Sequence, residues 1–246
     1  IIVKSGVLGI IRVVYFIFGA EFLKGSWVQK VFLGLALGTV FLGSMLAYLE
    51  KGLKKRLAYS TVSQVSYILF GLLLLNPAGM TGAFLHVIFH AVIKSGLFLC
   101  AGAIIFRTGK TRVDELRGIG KEMPVTIGCM TLLSLALIGI PPASGFVSKW
   151  YLAVGSLSSE TGFYSWLGPV VLLLSALLTA GYLLPITMKG FFPGEEESRK
   201  GFVRKEADSV MLVPILLLAV LAVVLGMFPG GLISLISNIA QQLFQM

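Results

Sequence analysis

Charge is what this sequence has least of: charged side chains make up 13% of its 246 residues, and only 11 residues are acidic. A water-soluble domain carries about 25%, so a chain this poor in charge cannot hide its apolar surplus in an aqueous fold. Cysteine and histidine are equally scarce, with two of each. Cys100 and Cys129 form no CxxC spacing or Cys/His cluster that would hold zinc or an iron–sulfur centre. They read as packing residues, and no cofactor is expected. Paired carboxylates, a nucleophile constellation and a phosphate-cradling glycine loop are missing too, so the chain by itself is expected to be non-catalytic. The net charge of +9 does not imply nucleic acid, because no basic stripe with interleaved aromatics lies on a polar domain.

What is abundant is hydrocarbon: 57% of residues are hydrophobic and the mean hydropathy is +0.94. A helix needs about 20 apolar residues to cross a bilayer core of ~30 Å. Seven stretches qualify, roughly 1–20, 28–49, 56–76, 80–106, 124–155, 167–191 and 209–228. The expected fold is therefore all-α, a polytopic membrane bundle of about seven spans. The fifth stretch is too long for one crossing and contains Gly139-Ile140-Pro141-Pro142-Ala143-Ser144-Gly145. Two prolines remove backbone donors and clash with the preceding turn, so a broken helix is expected there. Gly230–Met246 reads as a short amphipathic or partner-facing helix. Position 1 is Ile rather than Met, and the chain is expected to be the later part of a longer one.

Topology follows from counting. The segments 50–56, 107–123 and 189–208 should share one side, and together they hold 14 of the 20 lysines and arginines. The opposite loops hold only Lys24 and Lys30. That asymmetry places the basic loops in the cytoplasm. Localisation is expected to be a cell or other energy-coupling membrane, with the lipid bilayer as solvent. All acidic residues fall in loops or at span edges, so the ionisable groups inside spans are bases: Lys4, Arg12, Lys94 and Lys149, with His86 and His90.

His86, His90 and Lys94 recur at i, i+4 and i+8, on one helical face, and cover ~12 Å of depth. Ionisable groups within spans are costly and usually functional, and this row could pass a proton through intervening waters. A single such histidine would more often be an interhelical hydrogen-bond donor. The i, i+4 pair also fits a metal, but no carboxylate or cysteine accompanies it. Lys149, just past the Pro-Pro break, is either a deep base exchanging with water or a snorkelling span-end lysine. Arg12 cannot release a proton and is expected to pair with a carboxylate or polar group. From composition alone Lys55 is a topology anchor. Ser60, Gln64 and Tyr67, at i, i+4 and i+7, either line a wet channel or bind helices together.

These residues, in this order, resemble a known family. Lys4-Ser5-Gly6 with Arg12, the run Lys55-Arg56-Leu57-Ala58-Tyr59-Ser60-Thr61-Val62-Ser63-Gln64, then His86/His90/Lys94, and Gly139-Ile140-Pro141-Pro142 with Gly145, Phe146 and Lys149 are similar to the second half of an antiporter-like subunit. That family serves respiratory complex I (NADH:quinone oxidoreductase), membrane-bound hydrogenases and Mrp-type Na⁺/H⁺ antiporters. The resemblance implies two inverted five-helix repeats in a full member, of which this chain would carry the second. Residues 1–20 would be a bridging span, 28–191 the second repeat with its flanks, and 209–246 a C-terminal span and tail. Lys4 would bridge the half-channels, Lys55 would join the path, Lys94 would be the central base with His86 and His90 as its relay, and Lys149 would exchange with the far side. Pro141, Pro142 and Gly145 would form the helix break. The implied function is proton translocation in a redox-driven complex, and the alternative is Na⁺/H⁺ antiport in an Mrp-type complex. Implied partners are other membrane subunits, protons and, in the alternative, Na⁺. A scaffold that only holds other subunits is the third reading.

Overall fold

Helix order follows the apolar runs. The structure, a computed structural model, describes residues 2–192 and 203–245. The stretch 193–202 of the third basic loop, with Arg199 and Lys200 of the count above, lies outside the described residues. The first run is α1 (Ile2–Ile11), a π-helical continuation (Arg12–Phe18) and the short α2 (Ala20–Leu23). Then come α3 (Trp27–Leu49), α4 (Leu53–Leu73), α5 (Pro77–Thr108), α6 (Ile119–Glu122), α7 (Pro124–Ile138), α8 (Ser144–Leu157), α9 (Phe163–Phe191), α10 (Ser209–Met227) and α11 (Gly230–Gln245).

Local chemistry sets several of these limits. Ser26 Oγ accepts from Gln29 N at 3.2 Å to cap α3. Asn76 Oδ1 accepts from Gly79 N at 2.7 Å to cap α5, where Pro77 occupies a position that needs no donor. Gly109, at φ 72°, closes α5 in the left-handed conformation. Glu206 reaches from the segment before α10 to the start of α7, where its carboxylate accepts from Val125 N (2.8 Å), Thr126 N (3.3 Å) and Thr126 Oγ1 (2.5 Å). The long fifth run is divided as its prolines require. α7 stops at Ile138, Gly139 turns at φ 92°, and α8 begins at Ser144.

Four helices, α3, α5, α9 and α10, are each long and apolar enough to cross a membrane, and α7 is a shorter apolar helix. α4 has the length but carries Lys54, Lys55 and Arg56 and a polar stripe, and it is sheltered: Ser60, Ser63, Gln64 and Tyr67 are all fully buried. Around the bundle, Phe16, Ile17, Phe22, Trp27, Leu173, Val210 and Leu217 are exposed, the surface expected where lipid replaces water.

Two opposite faces are defined by contacts between loops. On one, Leu53 N donates to Thr111 O (2.9 Å) and Val113 N to Lys51 O (3.0 Å). There too, Lys189 pairs with Asp114 at 2.9 Å and Lys205 N donates to Glu122 O at 2.8 Å. All three basic segments thus meet on one side, as the charge count requires. On the other, Lys24 pairs with Glu160 at 3.8 Å, and Asn76 Nδ2 donates to Gly155 O at 2.7 Å. Lys30 belongs to the first turn of α3 rather than to a loop.

α5 sits at the centre, packed against α4, α7, α8, α10 and α11. Lipid tails are as apolar as leucine, so close packing and hydrogen bonds must hold such helices together. The α5/α8 contact shows the packing at its tightest. A Cβ on Gly82 would lie 2.7 Å from Leu152 N, and one on Gly155 would lie 2.4 Å from Gly79 N.

Candidate functional site

The buried face of α5 carries the predicted row. His86, His90 and Lys94 are 2%, 3% and 5% exposed, so none of the three is turned to lipid. Their rings and amine face the polar stripe of α4. Lys94 Nζ donates to Leu57 O at 2.8 Å and to Ser60 Oγ. His86 Nε2 meets Gln64 Oε1 at 3.1 Å, and His86 Nδ1 meets Ser148 Oγ on α8 at 2.9 Å. The His86 ring stacks on Tyr67 (centroids 5.4 Å apart) and on His90 (5.9 Å). Among the described residues, neither ring nitrogen of His90 has a protein partner.

Lys149 lies on the other side of Tyr67, its Nζ 5.3 Å from the centre of that ring. The amine donates to Leu137 O (2.7 Å) and Ile138 O (2.8 Å), the last carbonyls of α7. A helix end leaves such carbonyls unpaired and carries partial negative charge. The break therefore makes the acceptor set that holds the half-buried Lys149. Gly145 allows this geometry, since a Cβ there would lie 1.9 Å from Ala136 O.

Both lysines contact only neutral acceptors. Around the row, no carboxylate balances them among the described residues, whose ion pairs all lie at the two faces. Lys4 lies half-buried on α1. α1 seats itself by Val7 and Ile11 against Ile68, Leu72 and Ala83.

Two expectations meet a different arrangement. Lys55 is exposed, and with Lys51, Lys54 and Arg112 it lines a cavity of about 340 Å³ on the basic face, away from the row. Its neighbour Arg56 turns inward instead, donating to Glu50 O (Nε, 2.8 Å) and Tyr182 O (2.9 Å). One residue along a helix is a turn of about 100°, which decides between the two. Arg12 is exposed and makes no ion pair among the described residues, because Ile11 and Val14 take the inward positions. The geometry also disfavours a metal at the histidines, since both nitrogens of His86 are already engaged.

Sequence reasoning missed several polar residues. Ser148 is a direct partner of His86. Ser44, Ser63 and Ser175 join α3, α4 and α9 through hydroxyl contacts of 2.6–3.3 Å. Serine is common in membrane helices, so only the three-dimensional meeting separates these from ordinary hydroxyls.

The profile of the family described as "NADH:quinone oxidoreductase/Mrp antiporter, TM" matches residues 1–179, which include every residue of the row. The chain belongs to this family. It is 38% identical over 245 residues to NADH-quinone oxidoreductase subunit N of Desulforudis audaxviator, covering 95% of this chain and 48% of that protein. It is 32% identical over 259 residues to hydrogenase-4 component B of Escherichia coli, covering 98% and 38% respectively. Among solved structures, one chain of the Mrp complex from Dietzia sp. superposes with a TM-score of 0.77 at 25% identity, covering 88% of this chain and 47% of that one. The chain spans about half the length, or less, of the relatives it matches. As a member of the NADH:quinone oxidoreductase/Mrp antiporter family, it is a multi-pass membrane protein, and α10 and α11 lie beyond the matched segment.

Proposed function

We propose that this chain carries protons across the membrane, as the second-half bundle of an antiporter-like subunit in a redox-driven quinone oxidoreductase or hydrogenase complex. The observation that supports it best is the uncompensated set of Lys94, His90 and His86, buried on α5, with His90 and His86 stacked and His86 bonded to Ser148, the neighbour of half-buried Lys149. Membership of a family named for quinone oxidoreductases and antiporters supports the same reading.

The residues suggest how a proton would advance. Lys94 takes a proton arriving from the basic-loop face, and it can release one because its acceptors are neutral. With Gln64 Oε1 turned to the ring, His86 Nε2 is the donor and Nδ1 accepts from the Ser148 hydroxyl. When His86 gains a second proton, Nδ1–H donates instead, and Ser148 turns its own hydrogen to Gly145 O, 3.2 Å away. Lys149, one residue further along α8, receives the charge at the α7 carbonyls and passes it to the opposite face. Lys4 acts on both histidines through its charge. Lys55 serves as a basic anchor at the mouth of the path. Moving one charge against about 180 mV costs roughly 4 kcal/mol, and a change of about 3 pH units in a carrier's proton affinity supplies as much. The driving energy and the remaining partners come from other membrane subunits.

Na⁺/H⁺ antiport is the second reading, favoured by the likeness to the Mrp complex chain. Either reading predicts that Lys94→Ala or Lys149→Ala, in the assembled complex, abolishes most proton translocation without preventing assembly. Wild-type pumping in both variants refutes the relay. Replacing Na⁺ with K⁺ separates the readings, because only antiport loses its turnover.

A further inference from the structure

α5 and α8, which meet beside His90, keep an antiparallel register. Between α5 and α8, Gly79 meets Gly155, Gly82 meets Leu152 and His86 meets Ser148, so the two residue numbers sum to 234 each time. One turn further along the same register, Ser144 stands opposite His90. From α4, Gln64 Oε1 bonds His86 Nε2, one turn from His90, whose ring stacks on that of His86. Gln64, His90 and Ser144 therefore converge from three helices. They are 0%, 3% and 0% exposed, yet Gln64 Nε2, both nitrogens of His90 and Ser144 Oγ all lack a protein hydrogen-bond partner. Among the described residues these are the only buried side-chain polar atoms without one.

Three orphans at one point are not independent accidents, because each costs free energy when dry. Their chemistry is complementary to a small amphoteric molecule. The Gln64 amide offers two donors, neutral His90 one donor and one acceptor, and Ser144 one of each. A water that accepts from Gln64 and from the His90 N–H and donates to Ser144 gives each of the three side chains a partner, within the two to four partners a buried water requires, and leaves the other His90 nitrogen to a second water.

We propose that Gln64, His90 and Ser144 enclose a bound-water site that carries the proton past His90, which makes Ser144 a positioning residue of the path. The site bridges the interval between Lys94 and the His86–Ser148–Gln64 cluster, where the row has no direct protein hydrogen bond. It also brings the start of α8, and so the helix break, into contact with the central relay. This inference rests on the relay reading and adds to it a residue that the family resemblance did not supply.

The test uses Ser144→Ala in the assembled complex, with Lys94→Ala as its companion. Because the Ser144 hydroxyl bonds no protein group, a dry orphan predicts that Ser144→Ala raises the thermal midpoint and leaves translocation unchanged. A water site predicts no gain in thermal midpoint and translocation about tenfold slower, the rate equivalent of one lost hydrogen bond. A structure resolving waters should place one within hydrogen-bond distance of both a His90 ring nitrogen and Ser144 Oγ. Loss of translocation in Lys94→Ala with wild-type rate and a raised midpoint in Ser144→Ala overturns the water site and leaves the relay standing. Wild-type rates in both variants overturn the relay and, with it, the role given to the water.

Discussion

At the scale of single residues, the chemistry is decided by which polar atom a buried cation touches. Lys149 rests on two carbonyls that exist as free acceptors only because α7 ends beneath it. An arginine would hold the same carbonyls but cannot give up a proton. Lys149→Arg should therefore assemble normally and lose most translocation. Transport at the wild-type rate would show that Lys149 acts as fixed charge rather than as a carrier. Gly145 makes the opposite kind of prediction. Gly145→Ala drives a Cβ against Ala136 O, a backbone atom that cannot swing aside, and overpacking of this kind costs about 1–3 kcal/mol. The complex should lose thermal stability in Gly145→Ala, whereas Gly128→Ala, with nothing within 4 Å of the new carbon, should leave the midpoint unchanged. Equal midpoints for the two would remove Gly145 from the account.

At the scale of elements, α7 and α8 depend on groups outside themselves. α7 has Pro124 in its first turn and no side-chain cap of its own at the preceding position, and Glu206 supplies the missing acceptor from across the loop. Removing an N-terminal cap costs about 1–2 kcal/mol. Glu206→Ala should speed amide hydrogen exchange at Val125 and Thr126 by at least tenfold while Lys94 chemistry stays intact, and unchanged exchange would sink the capping role. The polar stripe of α4 answers a question its sequence left open. Ser60 and Gln64 contact Lys94 and His86 directly, while Ser63 joins the serine cluster that binds α3, α4 and α9. A periodicity of i, i+4 and i+7 describes both roles equally well, and only the identity of the facing helix separates them.

At the scale of the whole molecule, two charged faces bracket an interior that, among the described residues, holds bases but no acids. The three basic segments meet one another through backbone and ion-pair contacts, and Lys24 with Glu160 marks the opposite face. An impermeant thiol reagent should label Lys54→Cys from the cytoplasmic side and Glu160→Cys from the other. The native Cys100 and Cys129 are buried and should stay silent. Labelling of both new cysteines from the same side would overturn the topology.

Much of this protein is determined by composition alone. Long apolar runs, positive charge confined to alternate loops, and prolines inside one over-long run require a polytopic helical bundle with a break, because only helices and closed barrels satisfy backbone polar groups in lipid and runs of about 20 apolar residues are helix-length, not strand-length. The helical repeat likewise puts His86, His90 and Lys94 on one face. The tertiary structure alone decided that Arg56 and not Lys55 faces inward, and that Ser148 and Gln64 engage His86. Those outcomes depend on the rotation and register of one helix against another, which are set by close packing at positions such as Gly82 and Gly155 and leave no local pattern in the chain.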